Sequence, residues 1–572
     1  MNETVTDQLR AAALAWLKHD PDPSTRTEIA DLIDRAQSGD ADALGDLSSR
    51  FSGPLTFGTA GLRAAVGAGE SRMNVAVVIR ATAGLAAYLH DVVGADARVV
   101  VGCDARHGSS EFMDAALEVI SGAGLGAIAL PKRLPTPVTA YAVRVLDADA
   151  GIMITASHNP PADNGYKVYL GGRAADAEGA GVQIVPPADA EIASRIAAAP
   201  PADEVPRSTE TIVHADPSIL DGYVTRVASY RTSPAPSGVR VVFTAMHGVG
   251  AATALRVLAA AGVPDVHPVP EQREPDPSFP TVAFPNPEEP GALDRSIALA
   301  REVNADLVIA LDPDADRCSV ATEGRDGSWR QLTGDEVGAL LGEQAAADDS
   351  RSGDTLACSL VSSRLLGRIA AAHGLSFAHT LTGFKWIART PGLRYGYEEA
   401  IGYCTDPQTV ADKDGIGAAV RIITLVDALA AAGKTLDDQL DHLALTYCLH
   451  ATGQRSFRVG DPALIAEAMA RLRTTRVDEL AGSVVVDVVD LAKGSPQLPP
   501  SDGVIYRTEA DDRVVIRPSG TEPKLKCYIE VVTPVGDGEI DAEEWRHAVI
   551  TRAAAAERIQ ALGTAVTRLL GF

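Results

Sequence analysis

Residues 150–167 read AGIMITASHNPPADNGYK, and the fold turns on how they are read. The five apolar residues from Ala150 to Ile154 have the length and character of a buried strand. They open into a segment dense in Ser, Asn, Pro, Asp and Gly, which is turn chemistry. One loop at a strand end would then gather the Ser157 hydroxyl, the His158 imidazole, two carboxamides and the Lys167 ammonium. Open α/β sheets carry their chemistry at such places. Ser157 is a candidate nucleophile, with His158 and Lys167 as candidate proton carriers. A polar surface turn with a capping serine has the same composition, so the rest of the chain must decide.

Outward from this stretch, the same unit recurs. A β-branched run ends in a polar loop and an Ala/Leu-rich helical pattern follows, as at 98–106, 239–248, 307–314 and 355–363. Such alternation predicts parallel α/β sheets in several tandem domains. Residues 1–50 have helical amphipathic spacing and form an N-terminal extension. Aperiodic Pro/Ala or Pro/Gly stretches break the chain at 197–205, 233–238 and 494–503. The expected domains are 51–205, 206–325 and 326–445, each α/β, and 446–572, smaller and α+β.

Composition narrows the function classes. The chain has 572 residues, 46% of them hydrophobic, which suits large cores. No apolar run reaches about 18 residues, so no membrane span is expected. The start, MNETVTDQLR, lacks a basic stretch followed by an apolar core, so no secretory signal is expected. Six scattered cysteines without CxxC spacing read as reduced thiols in a cytoplasmic protein. A net charge of −25 repels nucleic acid and anionic lipid. It also repels phosphorylated metabolites, so such a substrate needs a locally basic pocket.

Several other loops carry chemistry. Asp312-Pro313-Asp314-Ala315-Asp316-Arg317 follows an apolar strand, and alternating carboxylates there can converge on a hard cation such as Mg²⁺. An EF-hand loop would need Gly where Arg317 stands. A phosphatase with Asp312 as nucleophile and a solvated acidic turn are the other readings. Residues 517–524, RPSGTEPK, combine cations, hydroxyls and Gly after a strand and suit a phosphate. An ordinary turn with solvated cations is the alternative. Glu398 and Glu399 lie in a Gly-bounded loop, where they either accept from sugar hydroxyls or open a helix. Arg63 and Lys385 each sit on a Gly-rich loop. Gly248-Val249-Gly250 after a strand is a weak dinucleotide signal, since Thr253 stands at the third Gly position.

In this order, TASHNP, DPDADR, GYEEAIG and RPSGTEPK resemble the α-D-phosphohexomutase family of phosphoglucomutases and phosphomannomutases. FGTAGLR and TLTGFKW add a likeness to its phosphoglucomutase-2/phosphopentomutase branch. The resemblance implies four domains around a deep cleft: three related α/β domains plus a C-terminal α+β domain. It implies that Ser157 is phosphorylated and that Asp312, Asp314 and Asp316 hold Mg²⁺ beside it. Glu398 would bind sugar hydroxyls, and Lys385 belongs to a further substrate loop. Arg517, Ser519, Gly520, Thr521 and Lys524 would grip the phosphate that is not reacting. His158, Lys167 and Arg63 match positions for proton transfer and phosphate stabilisation, and Arg317 should face the same phosphate. For Lys167 to act as a base, burial and neighbouring cations would have to favour its neutral amine. The implied activity is interconversion of hexose 1- and 6-phosphates through a sugar bisphosphate, which also serves as activator, by a monomer or homodimer. Many hexomutases have Ser where this chain has Ala400, and this admits a pentose phosphate or a bisphosphate-synthase role.

Overall fold

The strand Ala150–Ile154 is buried along its whole length. In the computed structural model it lies inside a mixed sheet. The structure describes residues 3–58, 61–348, 353–461, 463–496, 498–519, 524–535 and 542–571. Contacts divide the chain into two compact units, residues 1–323 with 402–424, and 324–401 with 425–572.

The first unit begins with helices Glu3–His19, Pro23–Gln37 and Ala41–Arg50. Asp22 and Asp40 cap the second and third by accepting backbone N–H groups, and Pro23 supplies a first-turn φ with no donor to lose. Ala13, Ile29, Leu32, Ile33 and Leu47 form their shared core.

The sheet that follows runs in the order Leu62–Ala65, Asp163–Leu170, Ala150–Ile154, Arg98–Cys103, Gly126–Ala129, Ile212–His214. The last four strands are parallel. Asp163–Leu170 is antiparallel to both its neighbours, pairing Met153 with Lys167 and Arg63 with Gly165. The parallel strands that the alternation predicts are thus joined by an antiparallel edge pair. Residues 155–162 connect a hairpin, and Lys167 lies on its return strand instead of in the loop. Continuous burial from Asn164 to Leu170 is the reason: the segment pairs on both edges and cannot remain a surface turn. Helices Val75–Val92 and Ser109–Gly122 share one core with these strands. Val75–Val92 is long and apolar enough to cross a membrane, but ten of its residues are buried, eight of them in that core.

The second sheet of this unit repeats the device. Leu307–Leu311 is parallel to Val241–Thr244, which is parallel to Val266–Pro268. Cys318–Glu323 returns antiparallel, so the acidic loop is also a hairpin connection. Helix Gly250–Ala260 starts against it. Val249 N–H donates to Pro313 O at 2.8 Å, and a Cβ on Gly248 would stand 2.4 Å from Pro313 Cα. These glycines serve close approach to the acidic loop, which accounts for the dinucleotide-like pattern.

In the second unit, Ser376–Thr380, Thr355–Ser359 and Leu393–Glu398 form a parallel sheet, with Thr355–Ser359 in the middle. Helix Gly334–Ala347, started by a Thr333/Glu336 capping box, packs on it. An antiparallel sheet follows in the order Leu449–Arg458, Lys524–Thr533, Arg513–Pro518, Val504–Thr508, Ser483–Asp490, Glu479–Leu480. Helices Ala463–Thr474 and Ala542–Leu570 pack together beside it. The chain thus contains three α/β domains and a C-terminal α+β domain.

Candidate active site

Two hairpin connections of the first unit meet at Ser157. Its Oγ donates to Asp312 Oδ2 at 2.7 Å and lies 3.1 Å from His158 Nδ1. Ser157 is 1% exposed and has φ +52°, and Ala315 in the acidic loop has φ +58°. A side chain in the left-handed region costs roughly 1–2 kcal/mol. Both connections therefore hold strained backbone at the point of contact, as functional turns often do.

Asp312, Asp314 and Asp316 are buried, with one carboxylate oxygen of each within 4.8 Å of the others. Asp314 Oδ2 accepts from Thr136 Oγ1 at 2.6 Å and from Lys167 Nζ at 2.7 Å. Asp316 Oδ2 accepts from Lys167 Nζ at 2.8 Å, and Lys413 Nζ stands 3.3 Å away. Asp312 Oδ1 accepts the Arg317 N–H at 3.0 Å. Asp314 Oδ1 and Asp316 Oδ1 are buried and accept no hydrogen bond. Arg317 Nε, 3.8 Å from Asp316 Oδ1, is a charge partner beyond hydrogen-bond reach, and buried carboxylate oxygens that accept no hydrogen bond are costly unless a cation takes them. The donor set, all hard oxygen, fits Mg²⁺.

The electrostatics are tightly coupled. Burial, then the charges of Asp314 and Asp316, push the Asp312 carboxyl well above its usual range. For Asp316 burial acts in the same sense but is outweighed by Lys167, Lys413 and Arg317, which hold it far down. Lys167 is also desolvated, yet Asp314 and Asp316 raise it above the ordinary lysine value. In this geometry the two carboxylates outweigh burial and the neighbouring cations Lys413 and Arg63. His158 is the neutral group. Loss of water around its ring, then Arg317 and Arg63, hold it well below its usual value. Arg63 donates to Asn159 Oδ1 at 2.9 Å, so it braces the Ser157 loop from the edge strand.

Three residues at this centre carried no role in the sequence reading. Thr136 starts helix Thr136–Val145, and its reach to Asp314 spans 178 positions, which no local pattern announces. Arg106 reaches the backbone of the Ser157 loop. Lys413 did leave a local mark, the acid–base–acid triplet Asp412-Lys413-Asp414.

The second unit carries the remaining candidates. Glu398 ends the strand Leu393–Glu398, and its Oε1 accepts from Gly383 N–H at 2.6 Å. That contact brings the loop of Lys385 to the sugar-loop candidate. Glu399 is instead occupied: its Oε2 accepts from Ser359 and Ser362 hydroxyls, both at 3.0 Å. Ala400 follows, half-buried. Arg517 pairs with Lys526 across a hairpin, and Ser519 N–H donates to Lys524 O at 2.8 Å. Arg517, Ser519 and Lys524 are half-buried. Gly520 and Thr521 lie outside the described residues.

Comparison with known proteins gives a consistent picture. Residues 54–201, 221–327 and 333–447 match the models of α/β/α domains I, II and III of phosphoglucomutase/phosphomannomutase, and 461–546 match its C-terminal domain. A Haemophilus influenzae protein named "Probable phosphomannomutase" is 45% identical over 460 residues, covering 80% of this chain and 93% of its own length. The phosphopentomutase of Mus musculus is 35% identical over 576 residues, covering 92% of this chain and 90% of its own. A solved phosphoglucomutase/phosphomannomutase family protein from Burkholderia thailandensis superposes with a TM-score of 0.67 at 20% identity, over 90% of this chain and 97% of its own. That likeness speaks to the fold.

Proposed function

The chain belongs to the phosphoglucomutase/phosphomannomutase family, and from that premise we propose that it interconverts the 1- and 6-phosphates of glucose or mannose, with Ser157 as phosphate carrier. One observation carries the reading. The Ser157 hydroxyl is buried on a left-handed turn, 2.7 Å from Asp312, beside two carboxylate oxygens that accept no hydrogen bond. An ordinary polar turn has no use for that arrangement.

In the proposed cycle the bond from phosphorus to Ser157 Oγ breaks as a bond to a sugar hydroxyl forms. The hydroxyl proton passes to a nearby base, and the product is a sugar bisphosphate. Return of its other phosphate to Ser157 completes the isomerisation. His158 Nδ1, 3.1 Å from Ser157 Oγ, is the candidate proton acceptor on geometry, and the approach of a phosphoryl dianion would raise its lowered basicity. Lys167, held charged, stabilises the transferring phosphoryl group and can donate. Arg63 and Arg317 add positive charge on the same side. Asp312, Asp314 and Asp316 would hold Mg²⁺, which when bound neutralises phosphoryl charge. Glu398 takes sugar hydroxyls, and Arg517, Ser519 and Lys524, with Gly520 and Thr521, take the phosphate at rest. Cysteines without disulfides among the described residues support a cytoplasmic setting.

A pentose 1-/5-phosphate is the second reading, favoured by the missing hydroxyl at Ala400. The rival phosphatase mechanism has Asp312 as nucleophile and no use for the buried Ser157 hydroxyl that donates to it. Intact-mass analysis after incubation with glucose 1,6-bisphosphate tests the carrier. One phosphate is expected on the wild type and none on Ser157→Ala, whose turnover falls on the order of 10⁴-fold or more. Full activity in that variant would refute the proposal. Parallel assays on glucose, mannose and ribose 1-phosphate identify the sugar, and a tenfold preference for ribose sinks the hexose assignment.

A further inference from the structure

Arg106 follows the strand Arg98–Cys103, which lies parallel to Ala150–Ile154 with Cys103 opposite Ile154. Their loops therefore leave the sheet side by side. The Arg106 side chain is 1% exposed. One terminal nitrogen donates to Ser157 O at 2.7 Å and Asn159 O at 2.5 Å. The other donates to Pro160 O at 2.8 Å and Asp163 O at 3.0 Å. A guanidinium has four terminal N–H groups, and all four are thus directed at main-chain carbonyls.

We infer that Arg106 is the positioning residue of Ser157: its planar fork holds the 157–163 connection by the backbone and touches neither phosphate nor sugar. The inference rests on the reading of Ser157 as phosphate carrier. It differs from the roles proposed for Arg63 and Arg317, because Arg106 has no terminal donor left for a ligand. The strained φ of Ser157 needs such a constraint, since a left-handed serine persists only where its surroundings over-determine it. Lysine could supply the charge but not the fork, and one ammonium cannot meet four carbonyls in fixed directions.

The clamp has a floor and a cover. Asp104 Oδ1 accepts the Arg106 N–H at 2.9 Å and the Ser109 hydroxyl at 2.6 Å, which fixes the start of the Arg106 loop. Phe279 covers the guanidinium, with its ring centroid 5.0 Å from Arg106 Cζ. Phe279 is 3% exposed and has φ +46°, so it too is held in a conformation that bulky residues rarely adopt. A ring in that position attracts the cation and keeps water from competing for the carbonyl bonds. Phe279 lies in the stretch matching domain II, whereas Arg106 and Ser157 lie in that matching domain I. The serine is thus registered against the domain that carries Asp312.

The test compares wild type, Arg106→Lys and Arg106→Ala on the preferred sugar phosphate. Arg106→Lys is expected to stay folded by circular dichroism, to lose ~100-fold in kcat and to keep KM within about threefold, since a displaced reacting group costs rate and not binding. Added guanidinium ion is expected to restore part of kcat in Arg106→Ala and none in Ser157→Ala. A crystal structure of Arg106→Lys is expected to have Ser157 Oγ beyond hydrogen-bond reach of Asp312. A folded Arg106→Lys with kcat within about threefold of wild type, a rise in KM alone, or an unmoved Ser157 overturns the inference. If neither Arg106 variant folds, Phe279→Leu decides, because it leaves the fork in place and removes only its cover. Its expected loss is about three- to tenfold in kcat at constant KM, and unchanged kcat overturns the inference. Failure of the wild type to take phosphate from glucose 1,6-bisphosphate would sink the carrier reading instead, and the crystal comparison would still decide whether Arg106 positions Ser157.

Discussion

The candidate centre in the first unit and the candidate binding residues of the second differ in how they treat water. Ser157, Lys167, Asp312, Asp314 and Asp316 are all at most 1% exposed. Lys167, with Lys413 and Arg317 beside it, offsets part of the negative charge of the three carboxylates. Lys385, Glu398, Ala400, Arg517, Ser519 and Lys524 are all half-buried. A reaction centre gains from dryness, because each charge interaction strengthens as water leaves. A residue that must capture a dianion from solution needs access, and its own charge stays cheap while it is solvated. The difference teaches that changes in the first unit should act on stability and rate together, and changes in the second on binding.

The largest expected effect tests the dry centre. Lys167→Met leaves Asp314 and Asp316 without their shared cation, at a cost of about 3–5 kcal/mol in urea unfolding. Mg²⁺ should recover more of that loss than it adds to the wild type. Equal stability of the variant without Mg²⁺ would break the comparison.

Next is a property the two units share. Burial pushes Asp335 in the second unit and Asp414 in the first up to about 6, from 3.8. A carboxyl raised by folding binds more protons folded than unfolded between those values. Its contribution to stability therefore falls as pH rises from about 4 to 6 and is level above. For each of the two groups that contribution changes by roughly 3 kcal/mol. Asp335→Asn keeps an acceptor for Ser363 N–H and Tyr397 OH, and should remove its share of the pH dependence in urea titrations at pH 4 and 7. An unchanged slope would show that Asp335 does not titrate as its burial implies.

Arg517→Met tests the solvated side. KM for the sugar phosphate should rise by about 1.5–3 kcal/mol, or roughly ten- to 150-fold. Unfolding free energy should move by less than about 0.5 kcal/mol. A large loss of stability would mean that the two regions do not divide as described. The smallest effect is expected from Ala400→Ser. One added hydroxyl is worth about 1 kcal/mol, so the ratio of glucose to ribose 1-phosphate turnover should rise about fivefold. No change would remove Ala400 from the choice of sugar.

Much of the centre was legible because its chemistry is concentrated in short strings. Ser157-His158 and Asp312 to Asp316 each lie within a few residues after an apolar strand. Lys167 was legible as a residue but not as a place, since turn-like composition concealed the return strand that pairs on both edges. Lys413 announced itself between two acids and lacked only a reason to be singled out. Thr136 and Arg106 could not be found in that way. Each acts through a contact spanning tens of positions or more, and each has an unremarkable local setting: a helix start and a strand-end loop.

By itself the sequence determined the strands, their polar connections and the functional groups those connections carry, because hydrophobic period and turn chemistry are local properties. It also determined the family, because four short strings in order are improbable by chance. Only the tertiary structure decided that two of the connections are hairpins, that two carboxylates push Lys167 up and that burial pushes His158 down. It alone revealed that Arg106 directs its terminal donors at the loop of Ser157. Strand direction, protonation and donor use depend on which groups are brought within a few ångströms of each other, and that distance is set by packing between segments far apart in the chain.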